Sequence, residues 1–379
     1  MPTPARPHTW RAHTWRNWLP IALGFVLALI GLELARTKLV VKLEEAALGQ
    51  DTQFAFGASD AVRVLCMNAK DGRDCLTSYE VAKRPPAILW LGNSQLPAIN
   101  RVKPGDLPTP KVLHALVRPR GHYLVTYAQP NANLIEHGLA FTALGPLYDT
   151  RLLILPVFLD DIREQGVRQN VAEFLDTPSI RAEVERSPVW PHIAPNLSRG
   201  GSGEHENAEA ASLQRTFETA FNAKLEAWWP LWRSRPNLRG LLGFSVHNAR
   251  NRLLGINAQS KRKVDDTVYK EKMAVLEAIL THARERKVKV LLYVPPFRLD
   301  IPGPYIDADY AKLKADLQNF ASKYGAHFAN LENVVPGPEW GMVVDPVYGF
   351  SDYDFMHFTG EGHRRHAVAL DRELRKMGF

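Results

Sequence analysis

The chain has 379 residues, enough for one large domain with a full core plus an appended segment. Its 47 basic and 40 acidic residues leave a formal charge of +7, spread along the chain and not gathered into a basic stripe with aromatics, which excludes a nucleic-acid footprint. The apolar fraction of 45% and charged fraction of 23% exclude a disordered polyelectrolyte and fit a globular protein.

Residues 1–17 are polar and basic, with Arg6, Arg11 and Arg16. Residues 18–35 form an apolar run interrupted only by Glu33, at the short end of the roughly 17–25 residues of a membrane span, with Trp18 and Arg36 where interface anchors belong. The expectation is a cytoplasmic basic segment, an uncleaved transmembrane anchor at 18–35, and the remainder outside the cytoplasmic membrane. A cleaved signal peptide is the rival, but Leu34 and Ala35 offer no small-x-small site. A buried soluble helix is the other alternative. Residues 36–84 read as a stalk and lead-in. The two cysteines, Cys66 and Cys75, frame a polar loop with no histidine near them, so zinc is disfavoured and a disulfide is expected outside the cytoplasm. Pro85 and Pro86 stop regular structure and mark the start of a catalytic domain at 85–379.

The domain opens with an unalternated apolar run at 87–91, as expected of a strand covered on both faces. It runs into Gly92, Asn93 and Ser94, where Gly92 supplies backbone freedom and the turn holds the Ser94 hydroxyl over the sheet edge. A polar loop with four prolines and a short helix at 111–117 come next, then a second strand at 122–127 and a helix at 134–144. Between these two lies a loop with Asn131 and Asn133, whose amides are candidates to stabilise an oxyanion or to cap the helix. A third strand at 151–158 ends at Asp160, Asp161 and Arg163, which either line a site or pair with one another.

Residues 176–265 break the pattern and read as an insertion. It comprises an exposed Gly-rich loop at 199–207, a helix at 211–228, and Trp228, Trp229 and Trp232 as core or as a sugar-stacking or membrane-facing surface. Regularity returns with a helix at 266–287, a strand at 288–294, a helix at 310–324 closed by Gly325, a strand at 327–331, and a last helix at 360–377. Strands alternating with helices predict a three-layer α/β domain: a five-stranded parallel sheet with helices on both faces.

Asp354 stands three residues before His357, so one turn can present both side chains, and the carboxylate can hold the ring in the tautomer that leaves its other nitrogen free as a base. Together with Ser94, these residues carry a resemblance to the SGNH (GDSL-like) hydrolase superfamily, over roughly residues 85–379: a nucleophile in Gly-Asp/Asn-Ser near the first strand and Asp-x-x-His near the C-terminus. The resemblance implies a Ser94, Asp354, His357 triad and no metal or cofactor. The superfamily's Gly-x-Asn-Asp motif is absent here, where Phe158, Leu159, Asp160 and Asp161 stand instead. The layout with an anchor, and the tract at 292–297, resemble membrane-anchored envelope proteins such as the D-alanine transfer protein and alginate O-acetylation proteins. That likeness implies transfer or removal of an O-acyl group on a polysaccharide beside a membrane-bound O-acyltransferase. A carbohydrate esterase or a non-catalytic scaffold are the alternatives. His363 and His366 are expected on the last helix, away from the serine.

Overall fold

The computed structural model describes residues 19–40, 52–54, 62–197, 250–251, 253–344 and 351–379. They divide between two compact units: helix α1 (Leu19–Val40) belongs to one, and every other named element belongs to the second. Leu23, Phe25, Leu27, Ile30 and Leu34 of α1 are exposed. Among the described residues, no helix is long and apolar enough to cross a membrane, so the structure does not show the expected anchor at 18–35.

The second unit is built on a six-stranded, wholly parallel sheet. Its strands, in chain order, are β2 (Leu65–Cys66), β3 (Ala87–Gly92), β5 (Tyr123–Ala128), β6 (Thr150–Pro156), β7 (Lys289–Val294) and β8 (His327–Asn330). They lie in the order β2-β5-β3-β6-β7-β8. All six residues of β3 are buried, because β3 has strands on both sides and helices on both faces. Successive side chains feed different layers. Leu89 and Leu91 join one core, Ile88 and Trp90 the other, and the Trp90 indole N–H donates to the Tyr293 hydroxyl at 3.2 Å.

The first core takes in side chains of α2 (Ala69–Val81), α4 (Leu134–Leu144), α7 (Pro178–Glu185), α8 (Trp190–Leu197), α9 (Asp266–Glu285) and α10 (Asp307–Tyr324), with the short α5 (Leu159–Arg163) and α6 (Gln169–Ala172) between strand and helix. Helix α9 is a direct consequence of its sequence: Asp265 caps its first turn through the N–H groups of Thr267 and Val268, and Tyr269, Met273, Leu276, Ile279, Leu280 and Ala283 make one buried stripe. The opposite face is covered by α3 (Thr109–Val117) and α11 (Gly360–Lys376) through Leu113, Val117, Ala367, Leu370 and Leu374.

Three expectations need correction. The main sheet has six strands, not five, since β2 adds an edge from residues read as stalk. The boundary at residue 85 falls inside the body: Tyr79 of α2 is fully buried, and a Cys66–Cys75 disulfide, with Cα atoms 6.5 Å apart, ties β2 to α2. Part of the supposed insertion at 176–265 also belongs to the core, because Val184, Val189 and Ile193 are buried in it. The loop at 199–207, the helix at 211–228 and Trp228, Trp229 and Trp232 lie outside the described residues.

A second sheet has no signature in the local sequence pattern. Strands β1 (Thr52–Phe54), β4 (Ala98–Asn100), β9 (Trp340–Val344) and β10 (Ser351–Phe358) lie in the order β1-β4-β10-β9. Strand β4 starts four residues after Ser94, and its Ile99 pairs in parallel with Phe358, directly after His357. This small sheet joins the two ends of the domain.

Candidate active site

The Ser94 turn hangs from the carboxyl end of β3, at the sheet edge where loops gather in parallel α/β proteins. Gly92 is needed for space, not for backbone freedom: its φ is not positive, but a Cβ there would sit 2.2 Å from Leu96 Cδ1. Asn93 is buried and shapes the turn, its Oδ1 accepting the Gln95 N–H at 3.0 Å. The Ser94 carbonyl accepts the Ala98 N–H at 3.0 Å, and the chain goes straight into β4. The Ser94 N–H has no partner among the described residues.

The other half of the site is carried by β10. Its register with β9 slips between Tyr353 and Phe358, and the four residues that slip contain Asp354 and His357. Asp354 Oδ1 accepts the N–H groups of Met356 (2.8 Å) and His357 (2.9 Å), which holds the local irregularity in the strand. Its Oδ2 then meets His357 Nδ1 at 2.9 Å, and His357 Nε2 meets Ser94 Oγ at 3.0 Å. These separations are within hydrogen-bond reach of a nucleophile, base and orienting acid. Asp354 is 3% exposed, while Ser94 and His357 keep 7% and 9%, so the carboxylate is sealed and the serine and histidine retain an edge to solvent. Burial alone would raise the Asp354 carboxyl. The His357 ring and the two backbone N–H groups outweigh it and hold the carboxyl below its ordinary value, so it serves as an anion beside the ring.

The five secondary candidates are placed elsewhere, and none hydrogen-bonds to Ser94 or His357. Asn133 caps α4: its Oδ1 accepts the N–H groups of Ile135 and Glu136, and its Nδ2 donates to Gly166 O at 3.0 Å, so the amide is consumed locally. Asn131 is exposed, at a φ of 55°. Asp160 accepts from Arg163 (3.0 Å), Arg262 (2.6 Å) and the Tyr305 hydroxyl (3.1 Å), which leaves Asp160 and Arg163 in a structural ion-pair cluster. Asp161 alone reaches the nucleophile turn, at 3.4 Å from Asn93 Nδ2, while its other oxygen accepts the Phe158 N–H at 3.0 Å. Burial pushes its carboxyl well above the usual range.

His363 and His366 lie on α11, buried and apart from the serine. The His363 ring bonds Thr109 and the Ala98 carbonyl, and His366 packs edge-on against Trp90 and Phe358. Burial pushes both rings down to about 3, so both are neutral. Lys272, missed in the sequence because it sits on the buried stripe of α9, places its ammonium 3.3 Å from Asn133 Oδ1 and is lowered by burial to about 8. Among the described residues, no group of His, Cys, Asp or Glu could hold a metal ion.

Fold and site together define a parallel α/β protein with a Ser–His–Asp array at the carboxyl edge of its sheet. No family model matches the chain, and comparison with curated proteins finds no match. Among solved structures, the chain is similar to a GDSL-like lipase from Bacteroides thetaiotaomicron VPI-5482, at 11% identity over 80% of this chain and 98% of that one, with a TM-score of 0.36. It is also similar to a catalytic mutant of an acetylxylan esterase from Geobacillus stearothermophilus, at 10% identity over 78% and 94% of the two chains, with a TM-score of 0.35.

Proposed function

We propose that the protein is an SGNH-type serine catalyst that moves an O-acyl group through an acyl-Ser94 intermediate. The observation that carries this reading is the unbroken chain from Ser94 Oγ to His357 Nε2 and from His357 Nδ1 to Asp354 Oδ2. His357 takes the Ser94 proton as Oγ attacks the acyl carbonyl. The negative charge forming on the carbonyl oxygen falls to the unpartnered Ser94 N–H and one further donor. Collapse expels the alcohol, which leaves with the proton from His357. A second hydroxyl then gives its proton to His357 and attacks the acyl-Ser94 carbonyl, and the departing Ser94 oxygen takes that proton back from His357. Water in that role makes an esterase; a sugar hydroxyl makes a transferase.

The sequence resemblance supports transfer or removal of an acyl group, acetyl in the first instance, on a cell-envelope or extracellular polysaccharide. On this reading residues 18–35 anchor the chain in the cytoplasmic membrane, the catalytic domain is periplasmic or extracellular, and a membrane-bound O-acyltransferase is the partner that supplies acyl groups. A fluorophosphonate probe tests the chemistry: labelling at Ser94, abolished in Ser94→Ala and in His357→Ala, is expected. A folded wild-type protein that takes no label would leave the scaffold reading in its place. A reporter fused after Phe379 tests the topology, and cytoplasmic behaviour would end the transferase reading.

A further inference from the structure

The turn after β5 is fastened by a residue outside the triad. Gln129 donates its N–H to Gly92 O at 3.0 Å, which sets this turn beside the nucleophile turn. Ala132 N–H closes back on Gln129 O at 3.0 Å, with Pro130 second and Asn131 third at a φ of 55°, the arrangement of a type II turn. Arg168 grips it. Its guanidinium donates to the carbonyls of Pro130 and Asn131, and through Nε (2.8 Å) and Nη2 to the two oxygens of Glu136. The Arg168 N–H adds a bond to Glu136 Oε1 at 2.9 Å. Glu136 in turn accepts the Asn133 N–H at 3.1 Å, at the start of α4. No other guanidinium among the described residues spans two loop carbonyls and a buried carboxylate in this way.

The central peptide of the turn is trans. With the Pro130 carbonyl turned to Arg168, the N–H of the same peptide unit, that of Asn131, faces the opposite way. It has no partner among the described residues. We propose that Arg168 is a positioning residue: by holding the carbonyl side of the turn, it presents the Asn131 N–H as the second donor to the oxyanion formed at Ser94. The inference rests on the acyl-enzyme reading. It also explains why the Asn131 side chain makes no contact with the triad, since the backbone of Asn131 is the working part. Lysine cannot replace arginine here, because a point ammonium cannot serve two carbonyls and a bidentate carboxylate together.

The experiment is p-nitrophenyl acetate turnover by Arg168→Ala and Arg168→Lys, with melting curves and fluorophosphonate titration to count competent Ser94. Loss of one oxyanion donor lowers kcat by about 100-fold or more. The expected result is a fall of that size in Arg168→Ala with KM within about threefold, partly restored by added guanidinium ion. Arg168→Lys is expected to stay folded and to be slow as well. A purely structural role would lower the titre of competent enzyme, leave kcat per titrated site unchanged, and show no guanidinium rescue; that pattern overturns the inference. Wild-type protein that neither turns over ester nor takes the probe at Ser94 would defeat the acyl-enzyme reading itself, a different result.

Discussion

Asp354→Asn removes one charge and almost no volume, yet the geometry makes it a severe change. The carboxylate has three bonds to make: Oδ1 to the N–H groups of Met356 and His357, and Oδ2 to the His357 ring. Asparagine has one oxygen. If that oxygen stays with the two backbone donors, the amide NH2 faces His357 Nδ1 and forces that nitrogen to accept. The ring proton then sits on Nε2, pointing at Ser94 Oγ from 3.0 Å, and the base is already occupied. If the amide flips, its NH2 meets two N–H donors and the local irregularity of β10 loses its support. The first state is the lower in energy, so the variant folds with the wrong tautomer. An Asp→Asn change in a serine triad lowers kcat by about 10^4, which is about 5.4 kcal/mol at 1.36 kcal/mol per tenfold. The assay is steady-state p-nitrophenyl acetate hydrolysis alongside the rate of fluorophosphonate labelling, with circular dichroism to show that the variant is folded. A folded Asp354→Asn enzyme within about tenfold of wild type would refute the orienting role of Asp354 and, with it, the triad.

Acid should destabilise the fold through three buried imidazoles. His137, His363 and His366 are each lowered by burial from 6.5 to about 3, so the unfolded chain takes up their protons first; stability is intact above pH 6.5 and is lost as pH falls towards 3. At pH 5.5 each has given up about 1.4 kcal/mol, about 4 kcal/mol together; the raised Asp161 carboxyl works the other way, so the urea titrations are made on Asp161→Asn, where equal midpoints at pH 7.5 and 5.5 would contradict this. Gly92→Ala pushes a methyl against Leu96, 2.2 Å away, and should cost about 1–3 kcal/mol while slowing Ser94 labelling; a neutral melting curve would show that the turn has slack. Cys66→Ser with Cys75→Ser opens a small loop and should lower stability by about 2–3 kcal/mol without changing the labelling of Ser94 in folded protein; a loss of labelling there would tie the bond to the site.

Much of this protein could be read from its sequence because its main strands are buried on both faces. Such strands must be short apolar runs, and the runs at 87–91, 122–127, 151–158 and 288–294 correspond to β3, β5, β6 and β7, while the run at 327–331 corresponds to the partly exposed edge strand β8. The grouping of Ser94, Asp354 and His357 was legible for a different reason: a serine on a strand-end turn and a carboxylate three residues before a histidine are local patterns, and the three side chains do meet. The capping role of Asn133 was also open to reading, since Asn133 and Glu136 carry the spacing of a capping box. Tertiary structure decided what no local pattern records. A two-residue strand such as β2 has no periodicity, and its place at the sheet edge comes only from pairing with β5. The second sheet exists because β4 and β10, hundreds of residues apart in the chain, meet at Ile99 and Phe358. That meeting brings His357 to Ser94. The sequence names the groups that can react; only long-range pairing sets the distance between them, because a hydrogen bond of 3.0 Å is made or lost by strand register, which neither partner encodes alone.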